Sequence, residues 1–89
     1  MEELDRAVED MRHGEEASFR QVVEATETRC IRLAARLMGN MADAEDVVQD
    51  SYIKAYKAIS EGAFDGRSKV ERWLIQIVTR TALDALRMP

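Results

Sequence analysis

Residues that interrupt helices are scarce in this 89-residue chain and stand only where a helix could end. The single proline is the last residue, Pro89, and the four glycines are Gly14, Gly39, Gly62 and Gly66. Between these positions the apolar residues recur at steps of three and four, which is the period of a helix rather than of a strand. The sequence therefore predicts an all-α fold: a compact bundle of three main helices plus a short N-terminal helix.

Glycines and N-capping residues divide the chain into the four predicted helices. They are Glu2–Arg12, Ala17–Met38, a third from Asn40 to about Ser60, and a last one from Ser68 to at least Leu86. Asn40 with Asp43, and Ser68 with Glu71, have the three-residue spacing of a capping box, so Asn40 and Ser68 are the predicted N-caps.

Each long helix has one apolar face, and these faces are predicted to form the core. The faces are Phe19, Val22, Val23, Thr26, Cys30, Leu33 and Leu37; Ala44, Val47, Val48, Ser51, Ala55, Ala58 and Ile59; and Val70, Leu74, Ile77, Thr81 and Ala85, with Trp73 at the edge. Cys30 is the only cysteine, so no internal disulfide can form, and a small buried side chain in a reducing compartment is expected.

The charge is divided unequally along the chain. Residues 1–50 carry 13 acidic and 6 basic side chains, and residues 51–89 carry 4 acidic and 7 basic ones, within a net charge of −4. No signal peptide is expected from the acidic N-terminus, and no apolar run approaches the roughly 20 residues of a membrane span. A cytoplasmic protein without membrane contact of its own is expected.

Groups that build catalytic sites are few. The chain has one histidine, His13, one cysteine and no glycine loop suited to phosphate. Asp46 and Asp50 have a spacing that could share a metal, but such pairs are common on charged helices. We expect neither an enzyme nor a metal or cofactor site.

The outer face of the third helix does not look like an ordinary solvated surface. Asp46, Gln49, Asp50, Ile53 and Lys57 lie within an arc of roughly 100°. A solvated face with i,i+4 ion pairs is one interpretation. The branched apolar Ile53 among charged neighbours favours the other, a docking patch.

A second unusual surface combines a loop with one side of the last helix. The loop is Phe64, Asp65, Gly66, Arg67, Ser68 and Lys69, and the helix adds Arg72, Gln76, Arg80 and Arg87. A solvated cationic face is the simpler interpretation. The other interpretation is a nucleic-acid-binding surface, because cationic side chains can hold phosphates and the neighbouring amide can read base edges. Trp73 is predicted as a core anchor in preference to a stacking platform.

These two surfaces carry a family resemblance. The segment 43–56, DAEDVVQDSYIKAY, resembles the polymerase-binding helix in conserved region 2 of extracytoplasmic-function sigma factors, the promoter-specificity subunits of bacterial RNA polymerase. Phe64-x-Gly66-x-Ser68, followed by Trp73-Leu74-x-x-Ile77, resembles the promoter-melting loop and helix of the same region.

The resemblance implies a role for each surface. The docking residues Asp46, Gln49, Asp50, Ile53 and Lys57 are expected to bind the clamp coiled coil of the largest subunit of core RNA polymerase. The loop 64–69 is expected to capture a base flipped from the non-template strand of the promoter minus-ten element. The helix residues would follow that strand, and an anti-sigma factor is a further expected partner.

Some positions depart from the family pattern. Val70 replaces an aromatic residue, Arg72 replaces threonine, and Arg80 stands where asparagine is frequent. The last change exchanges an amide for a charge, which bears on base preference rather than on backbone binding.

Residues 1–89 are expected to form this one domain, without the family's second, helix-turn-helix domain. The alternative function is a sigma-like decoy that binds an anti-sigma regulator without engaging DNA.

Overall fold

Three helices make up most of the residues that the computed structural model describes, which are residues 16–64 and 69–87. They are α1 (Glu16–Met38), α2 (Met41–Ser60) and α3 (Val70–Arg87). Each helix packs against the other two, and this described part of the chain contains no strand. The all-α prediction with three main helices is confirmed. The short helix predicted at Glu2–Arg12 lies outside the described residues.

The turn between α1 and α2 follows the predicted end signals. Gly39 adopts a φ of +82°, and its amide donates to the carbonyl of Ala35 at 2.8 Å. Asn40 then has extended backbone, and its Oδ1 accepts a hydrogen bond from the amide of Asp43 at 2.8 Å. Asn40 Nδ2 also donates to Asp43 Oδ2 at 2.8 Å, so both side chains hold the start of α2. The predicted N-cap at Asn40 is confirmed.

A Schellman motif ends α2. Gly62 has a φ of +76°, its amide donates to Ile59 at 3.0 Å, and the Ala63 amide donates to Ala58 at 2.7 Å. These two bonds satisfy carbonyls that the end of a helix leaves without partners. The turn sends the chain back toward the bundle, where the side chain of Phe64 is buried.

At the start of α3, Glu71 of the predicted capping box contacts another helix. The helix begins at Val70, and the Lys69 carbonyl accepts from the Trp73 amide at 3.0 Å. Glu71 Oε1 accepts a hydrogen bond from Arg29 Nη1 of α1. The pattern assigned Glu71 to its own helix start, whereas the structure uses it to tie α3 to α1. Ser68, the predicted cap, lies outside the described residues.

The core consists of two apolar clusters along the bundle. One contains Phe19, Val22, Ala55, Ile59, Phe64, Val70 and Leu74, and the other contains Cys30, Ala34, Ala44, Val47, Val48, Val78 and Ala82. The half-buried ring of Tyr52 packs against both clusters.

The prediction for the core face of α3 needs a correction. Val78 and Ala82 are fully buried, whereas Ile77 and Ala85 are half-buried. Val78 and Ala82 share a cluster with Cys30 of α1 and Val47 of α2, so the buried face of α3 is centred closer to Val78 and Ala82 than the sequence pattern indicated.

Candidate docking and nucleic-acid interfaces

All five predicted docking residues are exposed on one side of α2. Ile53, at their centre, is 62% exposed, and Asp46, Gln49, Asp50 and Lys57 surround it on the same side. The opposite side of α2 carries the buried residues Ala44, Val47, Val48, Ser51, Ala55 and Ile59. Because the buried side fixes the rotation of α2, the helix presents the acidic and apolar set outward as one surface, which we call the docking face.

The docking face contains one ion pair of the kind that a solvated helix would also show. Asp50 Oδ2 and Lys54 Nζ lie 3.2 Å apart, and both side chains are about half exposed. Such i,i+4 pairs contribute only about 0.3–0.5 kcal/mol. This pair therefore has little weight in fixing the fold.

Lys69 and the predicted DNA-binding residues of α3 are also exposed. Lys69, Arg72, Gln76, Arg80 and Arg87 all face solvent, and we call this surface the cationic face. The exposed apolar residues Leu83 and Leu86 lie on the same helix. Within residues 16–64 and 69–87, neither Arg72 nor Arg80 forms a side-chain hydrogen bond or ion pair with a protein group that would compete with a phosphate.

Phe64, the first residue of the predicted loop, makes an aromatic contact with α3. Phe64 is only 5% exposed, and its ring centroid lies 4.6 Å from that of Trp73 at an interplanar angle of 37°. Phe64, one of the predicted DNA-contacting residues, is therefore part of the core. Trp73 is half-buried beside it, as a core anchor would be. Asp65, Gly66, Arg67 and Ser68 lie outside the described residues.

The electrostatics at the start of α3 are mixed. The N-terminal end of a helix attracts anions through its dipole and free amides. Glu71, in the first turn, places a carboxylate there, and the Arg29 guanidinium of α1 binds that carboxylate. A phosphate near this helix end would therefore meet a partly compensated negative charge.

A groove of about 340 Å³ runs between α2 and α3. Its lining consists of Lys54, Ala58, Ala63, Trp73, Gln76, Ile77, Arg80, Thr81 and Asp84. The groove thus brings Gln76 and Arg80 of the cationic face together with Lys54 and Asp84, which lie outside both predicted interfaces. Lys54 Nζ donates to Thr81 Oγ1 at 3.2 Å, so this side chain reaches from α2 to α3.

Other kinds of site find no support in the described part of the chain. Within residues 16–64 and 69–87, no three histidine, cysteine or carboxylate side chains gather as a metal site would require. None of the described helices is both long enough and apolar enough to cross a membrane.

Comparison with known proteins gives a consistent set of relatives. Residues 22–88 match the family model described as Sigma-70 region 2. The chain is 29% identical over 84 residues to the ECF RNA polymerase sigma factor SigW of Bacillus subtilis, covering 94% of this chain and 44% of that protein.

Two further relatives show the same pattern of coverage. Identity to the RNA polymerase sigma-H factor of Pseudomonas aeruginosa is 32%, over 96% of this chain and 43% of the relative. Identity to the ECF RNA polymerase sigma-E factor of Haemophilus influenzae is 34%, over 89% of this chain and 40% of the relative. The chain therefore spans less than half the length of these relatives. Because the family model covers most of the chain, the protein belongs to the Sigma-70 region 2 family, and its relatives include extracytoplasmic-function sigma factors.

Proposed function

We propose that this chain acts in bacterial transcription initiation, as the sigma factor region that docks on core RNA polymerase and recognises the promoter minus-ten element. The observation that carries the proposal is the presence of two chemically different exposed faces on adjacent helices of one bundle. The docking face on α2 is acidic around an exposed isoleucine, and the cationic face on α3 follows the recognition loop. A bundle that served only as a scaffold would require neither.

The docking face suits a protein partner. Large apolar side chains at the centre of a charged surface are typical of interface anchors. Burying an isoleucine contributes roughly 1.5–3 kcal/mol. We assign this face to the clamp coiled coil of the largest polymerase subunit, with Ile53 as the anchor and Asp46, Gln49, Asp50 and Lys57 around it. An anti-sigma factor would compete for the same surface.

The cationic face and the loop suit an unpaired DNA strand. Extruding a base costs a few kcal/mol, which phosphate contacts and a fitted pocket can offset. Lys69, Arg72, Arg80 and Arg87 provide phosphate contacts, and Gln76 provides an amide for base edges. Phe64, at the start of the loop, packs on Trp73 of α3. The loop itself would then receive the flipped base.

The docking assignment is tested by Ile53→Asp. The side chain is exposed, so the free energy of unfolding should change by less than about 0.5 kcal/mol. Binding to a purified clamp coiled-coil fragment should weaken at least about tenfold, because the anchor contact is lost and a carboxylate is buried in its place. Titration calorimetry or biolayer interferometry measures the dissociation constant, and circular dichroism measures stability.

Leu86→Asp is the matched control, because Leu86 is 53% exposed on α3 and lies outside the docking face. This control should bind the clamp fragment as the parent does. If Ile53→Asp also binds as tightly as the parent, the docking assignment is wrong.

A further inference from the structure

The groove between α2 and α3 contains a cation that belongs to neither predicted interface. Lys54 lies on α2, beside the docking face, yet its ammonium group points into the groove that Gln76 and Arg80 line from α3. Trp73 and Ile77 of α3 also line the groove, and Ala58 and Ala63 add apolar surface on the other side. The groove is therefore partly apolar, with polar and cationic groups at its rim. Its volume of about 340 Å³ is at the small end of ligand sites, which run from roughly 300 to 1,000 Å³.

Two hydrogen-bonding partners position the Lys54 ammonium. Nζ lies 3.2 Å from Thr81 Oγ1 and 3.2 Å from Asp50 Oδ2, which hold it from opposite helices. An ammonium group has three N–H donors, so it can donate to a further oxygen while keeping these two partners. The side chain remains 49% exposed, which leaves it accessible from the groove.

The charges of the lining residues favour an anion at one end of the groove. Arg80 precedes Thr81 in α3, so two cations, Lys54 and Arg80, approach the groove from different helices. Asp84 lines the groove as well, one turn further along α3, and would repel a phosphate at that end. An anionic ligand is therefore favoured near Lys54 and Arg80.

We infer that Lys54 is a further DNA ligand, which binds one phosphate of the unpaired strand as that strand passes through the groove between α2 and α3. This inference rests on the proposed binding of the minus-ten strand and extends its footprint from α3 onto α2. The apolar wall would lie against the sugar or base of the same nucleotide, and Lys54 would hold its phosphate.

Neutralising single phosphates tests the inference. The 89-residue chain is titrated with fluorescent single-stranded minus-ten oligonucleotides, each carrying one uncharged methylphosphonate linkage at a different position. For the parent, several linkages should weaken binding when neutralised. For Lys54→Gln, neutralising one of those linkages should no longer weaken binding, because the cation that contacts its phosphate has been removed. The salt dependence, as the slope of log K against log salt, should fall in magnitude by about 0.7, the value for one single-strand phosphate.

Two further variants separate a contact from a general effect of charge or folding. Arg32→Gln removes the same charge from an exposed position on α1, outside the groove, and should leave the linkage profile of the parent unchanged. Lys54→Arg should restore sensitivity at the affected linkage. Thermal unfolding of each variant verifies that the fold is intact.

The outcomes are distinguishable from a failure of the proposed function. If the parent binds the strand and Lys54→Gln keeps every linkage effect, the Lys54 inference is wrong and the proposed function stands. If the parent binds no minus-ten strand at all, both are wrong.

Discussion

At the scale of single residues, the bundle centre is organised by a small buried polar group. Thr26 Oγ1 donates to the Val22 carbonyl at 2.7 Å and lies 2.6 Å from the Tyr52 hydroxyl. Cys30 lies one turn further along α1 and is also buried. Among the described side chains, no buried polar atom is left without a hydrogen-bonding partner. This pairing matters because an unsatisfied buried polar group costs about 1–3 kcal/mol.

Burial also shifts the pKa values of Cys30 and Tyr52. Burial raises the pKa of the Cys30 thiol above its ordinary value of 9.0, although hydrogen bonds with Tyr52 and Thr26 act in the opposite direction. Burial likewise raises the pKa of Tyr52 above its ordinary value of 10.0. Both groups are therefore kept protonated by the folded state at a pH where the unfolded chain has begun to ionise.

This shift predicts a loss of stability at alkaline pH. Above pH 9.0 the unfolded chain binds fewer protons than the folded chain, so the free energy of unfolding falls as pH rises. One such group contributes a slope of at most about 1.4 kcal/mol per pH unit. Between the ordinary pKa values of the thiol and the phenol, 9.0 and 10.0, the stability of Cys30→Ala should therefore fall less steeply with pH than that of the parent. Urea unfolding at several pH values measures both slopes.

The comparison uses slopes, because Cys30→Ala also lowers stability at every pH by removing a buried side chain. Above the ordinary pKa of tyrosine, the free energy of unfolding of both proteins should fall as pH rises, because Tyr52 is kept protonated in the folded state. Identical slopes for the parent and the variant would show that the thiol does not contribute.

At the scale of elements, the ends of the helices are fixed by backbone geometry as much as by side chains. Gly39 and Gly62 both adopt a positive φ at a helix end. At Gly62 the resulting turn returns the chain to the core at Phe64, immediately before the recognition loop. The conformation of one glycine therefore determines where that loop begins.

Gly62→Ala should destabilise the domain by roughly 1–2 kcal/mol, the cost of a left-handed conformation for a residue with a Cβ. A Cβ at Gly62 meets no atom within 4 Å, so this cost reflects backbone strain and not a clash. Gly62→Asn should cost less, since asparagine tolerates this conformation better. Urea unfolding measures both variants. Equal costs for alanine and asparagine would contradict the explanation from backbone conformation.

The elements also show how far the sequence determines the structure. Local signals suffice for α2, because the Asn40 cap, the Gly62 end and the buried side all depend on neighbours along the chain. They fail where two helices meet. The preference of α3 for burying Val78 over Ile77 depends on the positions of both α1 and α2, and the pairing of Glu71 with Arg29 depends on the position of α1.

The candidate site divides in the same way. Helical spacing predicts that Ile53 and its neighbours share one face, and that the cationic residues of α3 share another. Lys54 was missed because its partner Thr81 lies 27 positions away in the sequence. Phe64 was placed in the site by its loop position, whereas its packing on Trp73 became visible only in three dimensions.

At the scale of the whole molecule, charge and shape assign different partners to different helices. The acidic part of the chain includes most of the docking face, and the basic part includes the loop and the cationic face. With a net charge of −4, long-range attraction to DNA is weak, so binding must come from local contacts. Few phosphates are then neutralised, and we expect the isolated domain to bind DNA weakly, with affinity that falls as salt rises.

The central claim is that the loop and the cationic face select a minus-ten strand. Its most direct test is fluorescence anisotropy with a panel of single-stranded oligonucleotides that differ at one base each. The parent should prefer one base at one position, and Arg67→Ala, in the loop, should change that preference. Arg72→Ala should instead weaken binding to every sequence and lower the salt slope by roughly one phosphate contact. A chain that binds the clamp but no DNA would be a sigma-like decoy. Equal affinity for all sequences, unaffected by the loop substitution, would contradict the claim that the loop and the cationic face select a minus-ten strand.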